Sequence, residues 1–232
     1  MFKFLLDLIF PKNCVGCGRE GSYLCVKCQE LITQKELICP YCKRIAFGGM
    51  THPICKRRFN LDGLWTFGAF AGVLRKSIQK LKYRWVTEHA DILMDQVVQY
   101  LVRSSPIFLD QIKKDRGVGW AVVPVPLHWK RQNWRGFNQS ALIAKKLADS
   151  LGVTYTEALK RIRDTASQTT YDAAARRINI KNAFSLQSTT YQLPPNILLI
   201  DDVWTTGSTL QECCYILKRN GAKKVWAITL AR

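Results

Sequence analysis

Residues 196–210 read NILLIDDVWTTGSTL, and this stretch decides the fold. Ile197, Leu198, Leu199 and Ile200 form an unbroken apolar run. A parallel strand covered on both faces has no solvent side, so its sequence needs no polar alternation. The run ends in two carboxylates, Asp201 and Asp202. Thr205, Thr206, Gly207, Ser208 and Thr209 follow, and then a helix-like stretch over 210–220. Gly207 permits close approach of backbone to a ligand. The free N–H groups of the helix start and the neighbouring hydroxyls together make a phosphate site. The two acids stand beside it at the carboxyl end of the strand, where open α/β sheets bind ligands. A ribose 5-phosphate satisfies both halves: backbone donors take the phosphate, and the acids accept hydrogen bonds from vicinal hydroxyls.

The acid pair followed by Thr-Thr-Gly-Ser-Thr resembles the phosphoribosyl-pyrophosphate (PRPP) signature of type I phosphoribosyltransferases. A buried strand with a simple Asp or Thr cap explains only part of the stretch, and so does an acid pocket like that of response regulators. Strand, acid pair and phosphate loop together favour the phosphoribosyl reading.

The chain has 232 residues, enough for one α/β domain and something small. Its 35 Lys and Arg against 17 Asp and Glu leave a net charge of +18, which predicts polyanionic partners. The excess is spread out: residues 1–60 hold ten basic and four acidic side chains. Seven of the nine cysteines fall in the first 55 residues. Residues 1–10 are apolar but too short to span a bilayer, and they lack a signal-peptide cleavage site. Helical spacing of Phe4, Leu5, Leu8 and Ile9 predicts a short helix against the body, with no stable membrane insertion. A reducing, cytoplasmic compartment is expected, in which the thiols serve as metal ligands rather than disulfides.

Cys14 and Cys17, then Cys25 and Cys28, form two pairs with two-residue spacing. Paired thiolates on tight turns supply the tetrahedral sulfur geometry that Zn²⁺ prefers. Cys39 and Cys42 make a third pair. His52 and Cys55 keep the spacing with an imidazole for one thiolate, so a second zinc site is expected. Sequential and interleaved pairings both fit. With four protein ligands each, the sites are structural and supplement the small core of a segment under 60 residues. The expected division is 1–60, an N-terminal helix and double zinc ribbon, and 61–232, an α/β domain with helices on both faces of a parallel sheet.

Within the second part, 64–70 predicts a strand. Residues 72–85 predict a helix with Val73, Leu74, Ile78 and Leu81 on one face and Arg75, Lys76, Lys80, Lys82 and Arg84 on the other. Residues 87–103 predict a second helix, and 104–119 a surface loop. Residues 120–125 predict a buried strand ending in Pro-Val-Pro. A basic loop over 128–139 follows, then a helix over 140–151. The loop places guanidinium and amide donors where a second phosphate cluster would lie. It also interleaves Trp129, Trp134 and Phe137 with Lys130, Arg131 and Arg135, a pattern that suits stacking on single-stranded nucleic acid. Gln168 is expected to open a helix. Cys213 and Cys214 are expected as buried, unreactive thiols, Gly221 as a helix cap, and 225–230 as a final strand.

The paired-cysteine N-terminus resembles the double zinc ribbon of the ComF family, competence-associated proteins related to ComFC. The family's motifs recur at Lys82-Tyr83, Val123-Pro-Val-Pro-Leu-His128 and Arg135-Gly-Phe-Asn-Gln139. A further run extends from Gln168 through Arg176 and Asn179 to Ala183-Phe184. His52 stands where the family usually has cysteine, and Tyr171 where an aliphatic residue is usual. The resemblance implies a type I phosphoribosyltransferase-like fold, a cytoplasmic protein, and the handling of single-stranded DNA during natural transformation. Asp201 and Asp202 would hold the ribose hydroxyls, and residues Thr205, Thr206, Gly207, Ser208 and Thr209 the 5-phosphate. The turn at Val125 and Pro126 would take the pyrophosphate with Mg²⁺, with Arg131 and Arg135 closing over it. Lys130, Arg131, Trp134, Arg135 and Arg176 would contact nucleic acid.

Three functions follow as expectations. The chain binds PRPP or a related ligand and handles single-stranded DNA. Alternatively it transfers ribose 5-phosphate to an acceptor, although no acceptor pocket or general base stands out; His89 and His128 are plain candidates. In the third, the ribbons dock a helicase or another competence component.

Overall fold

The computed structural model describes residues 11–81, 87–164, 180–188 and 192–232. The strands are β1 (Gly63–Gly68), β2 (Trp120–Pro124), β3 (Thr154–Tyr155), β4 (Leu159–Arg161), β5 (Phe184–Leu186), β6 (Asn196–Val203) and β7 (Lys224–Ala231). Five of them form one sheet in the order β1-β7-β6-β2-β3, and every neighbouring pair is parallel. β4 and β5 pair antiparallel as a separate small hood.

β6 lies at the centre, and Ile197 to Ile200 are each 0% exposed. Alternate residues serve opposite faces, as the two-residue period of a strand requires. Leu198 and Ile200 join one apolar cluster, Ile197 and Leu199 the other. The helices are α1 (Val26–Glu30), α2 (Gly72–Lys80), α3 (Thr87–Ser104), α4 (Ile107–Lys114), α5 (Trp129–Arg135), α6 (Gln139–Leu151) and α7 (Ser208–Arg219). Helices α2, α3, α4 and α6 cover the Leu198 face through Leu74, Leu93, Phe108 and Leu147. Helix α7 covers the other through Leu210, Cys213, Cys214 and Leu217. The parallel sheet with helices on both faces is therefore the architecture that the central run implied.

Two stretches differ from expectation. Residues 104–119 are not all loop. After Pro106, α4 buries Phe108, Leu109 and Ile112, and the Phe108 ring packs 5.1 Å from that of Trp226. Ser-Ser-Pro and the charges around it suggested solvent, but a proline before the first turn favours a helix start. Residues 128–139 are likewise not all loop. His128 precedes α5, which ends at Gly136. The helix expected over 72–85 is present as α2, while Lys82 and Arg84 lie outside the described residues, as do 1–10, Gln168, Tyr171 and Arg176.

The cysteine-rich segment packs against both faces. Cys14, Leu24, Cys28 and Ile32 enter the cluster of α2 and α3, and Ile38 enters that of α7. The chain passes into β1 through a tied joint. Tyr41 accepts the N–H of Leu61 at 2.8 Å, and Asp62 exchanges two hydrogen bonds with Val225. No helix among the described residues is long and apolar enough to cross a membrane.

Candidate functional site

The crossover from β2 through α6 runs on one face of the sheet, and that from β6 through α7 on the other. The carboxyl ends of β2 and β6 therefore flank a switch point, where a crevice opens between diverging connections. Asp201 and Asp202 lie inside β6, with Asp201 still in register with Thr229 of β7. The chain turns through Trp204, whose N–H donates to the Ala231 carbonyl at 2.7 Å. Gly207 then precedes α7 in the left-handed region, φ 79°. A Cβ at Gly207 would run into the Trp204 ring. The glycine expected to admit a ligand is thus required first by the protein's own packing. Ser208 is buried, its hydroxyl lies 2.9 Å from that of Thr206, and its N–H donates to the Thr206 hydroxyl at 3.4 Å. Thr206 and Thr209 are half-buried and Thr205 is exposed. The loop therefore joins hydroxyls to the positive end of a three-turn helix.

The opposite wall is the turn after β2. The N–H of Val125 donates to Ile200 at 2.8 Å, so the ladder continues past β2 and brings Val125 and Pro126 beside the acids. Asn138 donates from Nδ2 to the Val125 carbonyl at 3.0 Å, while its Oδ1 accepts the N–H of Ser140 and caps α6. The Ser140 hydroxyl donates to Asp201 Oδ1 at 3.1 Å, and the N–H of Asp202 donates to the same oxygen at 2.9 Å. Burial, and then the Asp202 charge, raise the Asp201 carboxyl to about 7 against these two donors and Arg161. Two neighbouring acids in a partly dry site resist ionising together.

Cations close the crevice. Arg131 and Arg135 project from α5. Arg131 Nε lies 3.9 Å from Asp164 Oδ1, and His128 Nδ1 lies 3.8 Å from the same oxygen. Arg135 donates from Nη1 to Gln139 at 3.3 Å. Burial, with Arg131, lowers the Arg135 pKa, and Asp202 acts the other way. Lys130 and Trp134 are exposed, and Lys130 Nζ sits 5.7 Å from the exposed Trp129 ring. These two therefore face solvent rather than the acids, and Arg176 lies outside the described residues.

Two residues of the site were missed in the sequence. Ser140 reads as a first-turn helix residue, and only folding brings it to an acid 61 positions away. Arg161 reads as one more basic residue in a basic stretch. In the hood it is buried enough that desolvation, and then Arg131, lower its pKa, against the pull of Cys213, Asp201 and Asp164. A cavity of about 320 Å³ lies beside the Val125 turn, lined by Trp129, Gln132, Asn138, Glu157, Arg161 and Gln187. This cavity is assembled from three separate segments of the chain.

The cysteines resolve into two sets, each of which could hold a metal ion. Cys14, Cys17, Cys25 and Cys28 form one; Cys39, Cys42, His52 and Cys55 form the other. Within each set all four donor atoms lie within 4.8 Å of one another. The pairing is sequential, so the interleaved alternative is excluded. Burial opposes ionisation of Cys14, but the N–H groups of Cys17, Cys25 and Gly16 outweigh it and bring the thiol to about 6. His52 places Nδ1 3.2 Å from Cys42 Sγ and Nε2 3.1 Å from the Ile45 carbonyl. A histidine that gives its other nitrogen to a carbonyl is held in orientation as a ligand. Cys213 and Cys214 are fully buried, and burial pushes Cys214 to about 12 and Cys213 well above the usual thiol value. They are inert interior thiols.

Comparison with known proteins agrees with this geometry. The family model of the phosphoribosyl transferase domain matches residues 138–232. This span contains Ser140, both acids and the phosphate loop. The DNA utilization protein YhgH of Salmonella typhimurium is 33% identical over 220 residues, covering 90% of each chain. Competence protein F of Haemophilus influenzae is 30% identical over 239 residues, covering 96% of this chain and 98% of the relative. Competence protein ComFC of Streptococcus pneumoniae is 31% identical over 123 residues, about half of each chain. The similarity to YhgH and competence protein F covers nine-tenths or more of the chain, and the chain belongs to the ComF family.

Proposed function

We propose that the crevice between β2 and β6 binds PRPP or a related phosphoribosyl ligand, and that the protein handles single-stranded DNA during DNA uptake. The observation that carries the first half is the convergence of three groups: the acid pair, the hydroxyl-lined start of α7, and the Val125 turn with its flanking cations. Asp201 and Asp202 take the ribose hydroxyls. Thr205, Thr206, Gly207, Ser208 and Thr209 take the 5-phosphate. Val125 and Pro126 border the pyrophosphate, and Arg131, Arg135 and Arg161 neutralise it. Mg²⁺ held on the pyrophosphate beside the acids would add charge stabilisation there. The names of the relatives, DNA utilization protein and competence protein, support the second half, as does the +18 charge. Lys130 and Trp134, exposed on α5, supply a charge and a stacking face. Two Zn²⁺ ions in the cysteine sets serve a structural role, since four protein donors leave no open position. The compartment is the cytoplasm, and a helicase is a partner the ribbons could engage.

The cavity beside the Val125 turn favours a second reading, transfer of ribose 5-phosphate. An acceptor nucleophile held among Gln132, Asn138, Glu157 and Gln187 would form a bond to C1 as the C1–oxygen bond breaks. The electron pair would leave with pyrophosphate, and the arginines would stabilise the departing charge.

Calorimetric titration of PRPP with Mg²⁺ into the zinc-loaded chain tests the main reading. Wild type should bind saturably, and the Asp201→Asn, Asp202→Asn variant should not, while its affinity for an oligothymidylate stays the same or rises. Arg131→Ala with Arg135→Ala should weaken both ligands. Loss of DNA binding in the aspartate variant would merge the two sites and refute their separation.

A further inference from the structure

A groove of about 480 Å³ lies on the far side of the phosphate loop, between the second cysteine set and α7. Its walls include Tyr41, Phe59, Asn60, Asn182, Ser208 and Tyr215. The rings of Phe59 and Tyr215 meet edge to face, centroids 5.5 Å apart. Each has a guanidinium beside it. Arg58 lies 5.1 Å from the Phe59 centroid, and Arg219 5.6 Å from that of Tyr215. Arg219 also donates to the Tyr215 hydroxyl at 3.2 Å. Arg58, Arg219 and Lys181 are exposed. Glu212 is the acid in the groove, and its carboxylate accepts the backbone N–H of Asn182 at 2.7 Å. Two aromatic rings, Lys181 and one committed acid thus line the groove, and Arg58 and Arg219 stand beside the rings. None of these residues belongs to the basic segment around α5.

We propose that this groove is a second contact surface for single-stranded nucleic acid, with bases stacking on Phe59 and Tyr215 and phosphates on Arg58, Lys181 and Arg219. Aromatic faces between cations recognise any base and any backbone, which is the chemistry of sequence-tolerant strand binding. A folded acidic partner would use the charges but would leave the half-buried rings without a stacking partner. Ser208 lines the groove and belongs to the phosphate loop at once. The strand therefore runs up to the ligand crevice, and the second cysteine set supplies one wall of its track. The inference rests on the reading that the protein handles single strands.

The test uses the full zinc-loaded chain and an oligothymidylate of roughly ten nucleotides, spanning a typical single-strand site. Arg58→Glu with Arg219→Glu should lower the salt dependence of binding by about two phosphate contacts and weaken affinity at low salt at least about tenfold. Tyr215→Leu keeps apolar packing and removes the stacking face, and should cost about tenfold. Neither variant should alter PRPP affinity. A strand carrying 5-iodouracil should cross-link under ultraviolet light to Tyr215 or Phe59. Unchanged affinity and salt slope in both variants, with cross-links confined to Trp129 and Trp134, would overturn the groove while leaving the DNA reading intact. Failure of wild type to bind the strand would overturn both. Binding of polyglutamate that matches or exceeds that of the strand, and is abolished by the charge reversals, would assign the groove to an acidic protein and overturn the proposal.

Discussion

Ser140, in the first turn of α6, donates its hydroxyl to Asp201 at the end of β6 across 3.1 Å. This bond crosses the switch point and fixes the acid before any ligand arrives. The same Asp201 oxygen accepts the Asp202 N–H, so one carboxylate oxygen is committed to the protein. A site built this way meets its ligand with less reorganisation.

The Asp201 carboxyl, raised by burial and by Asp202 to about 7, ties stability to pH. The folded state holds this proton more tightly than the unfolded chain, whose value is near 3.8. The stabilisation is therefore complete below pH 3.8 and is lost as pH rises through about 7. Asp201→Asn retains an oxygen for both donors and removes the charge. It should melt roughly 3 °C above wild type at pH 8, with the gap narrowing at pH 5, while losing PRPP binding. Equal or lower melting at pH 8 would contradict a raised carboxyl.

Gly207 combines a left-handed backbone with contact against Trp204, whereas Gly152 has a similar φ of 64° and open space. Gly152→Ala should cost about 1 kcal/mol, the backbone effect alone. Gly207→Ala should cost about 1–3 kcal/mol more, because a packed indole must shift, and it should lower PRPP affinity as α7 moves. Urea unfolding of the two variants decides this. Equal losses would mean that the Trp204 contact carries no energy.

The second cysteine set should bind metal through three sulfurs and the Nδ1 of His52. Cobalt-substituted protein should show one site with four-sulfur absorption and one with three-sulfur, one-nitrogen absorption. His52→Cys should convert the second spectrum to the first, and His52→Ala should release about one equivalent of metal more readily to a chelator. A spectrum unaltered by His52→Ala would exclude the histidine as a ligand. Full chelation should lower the melting temperature, since metal holds segments whose cores are small.

The central run, its acid pair and the loop through Thr209 were legible because they are local. Four consecutive apolar residues report burial on both faces, and the two-residue cysteine spacing reports knuckles that could hold a metal ion, without reference to distant chain. Tertiary structure alone decided what depends on long-range contact. It paired the knuckles in sequence order and brought Ser140 and Arg161 to Asp201. It also folded residues 107–114 into a helix against Trp226, where polar neighbours had suggested solvent. It joined Phe59 of the cysteine-rich segment to Tyr215 of α7, more than 150 positions apart, to make the groove. Spacing reveals which residues share a strand, turn or knuckle. Which distant side chains share a site is set by the sheet order, because β6 lies between β2 and β7 and gathers to its carboxyl end what the sequence keeps apart.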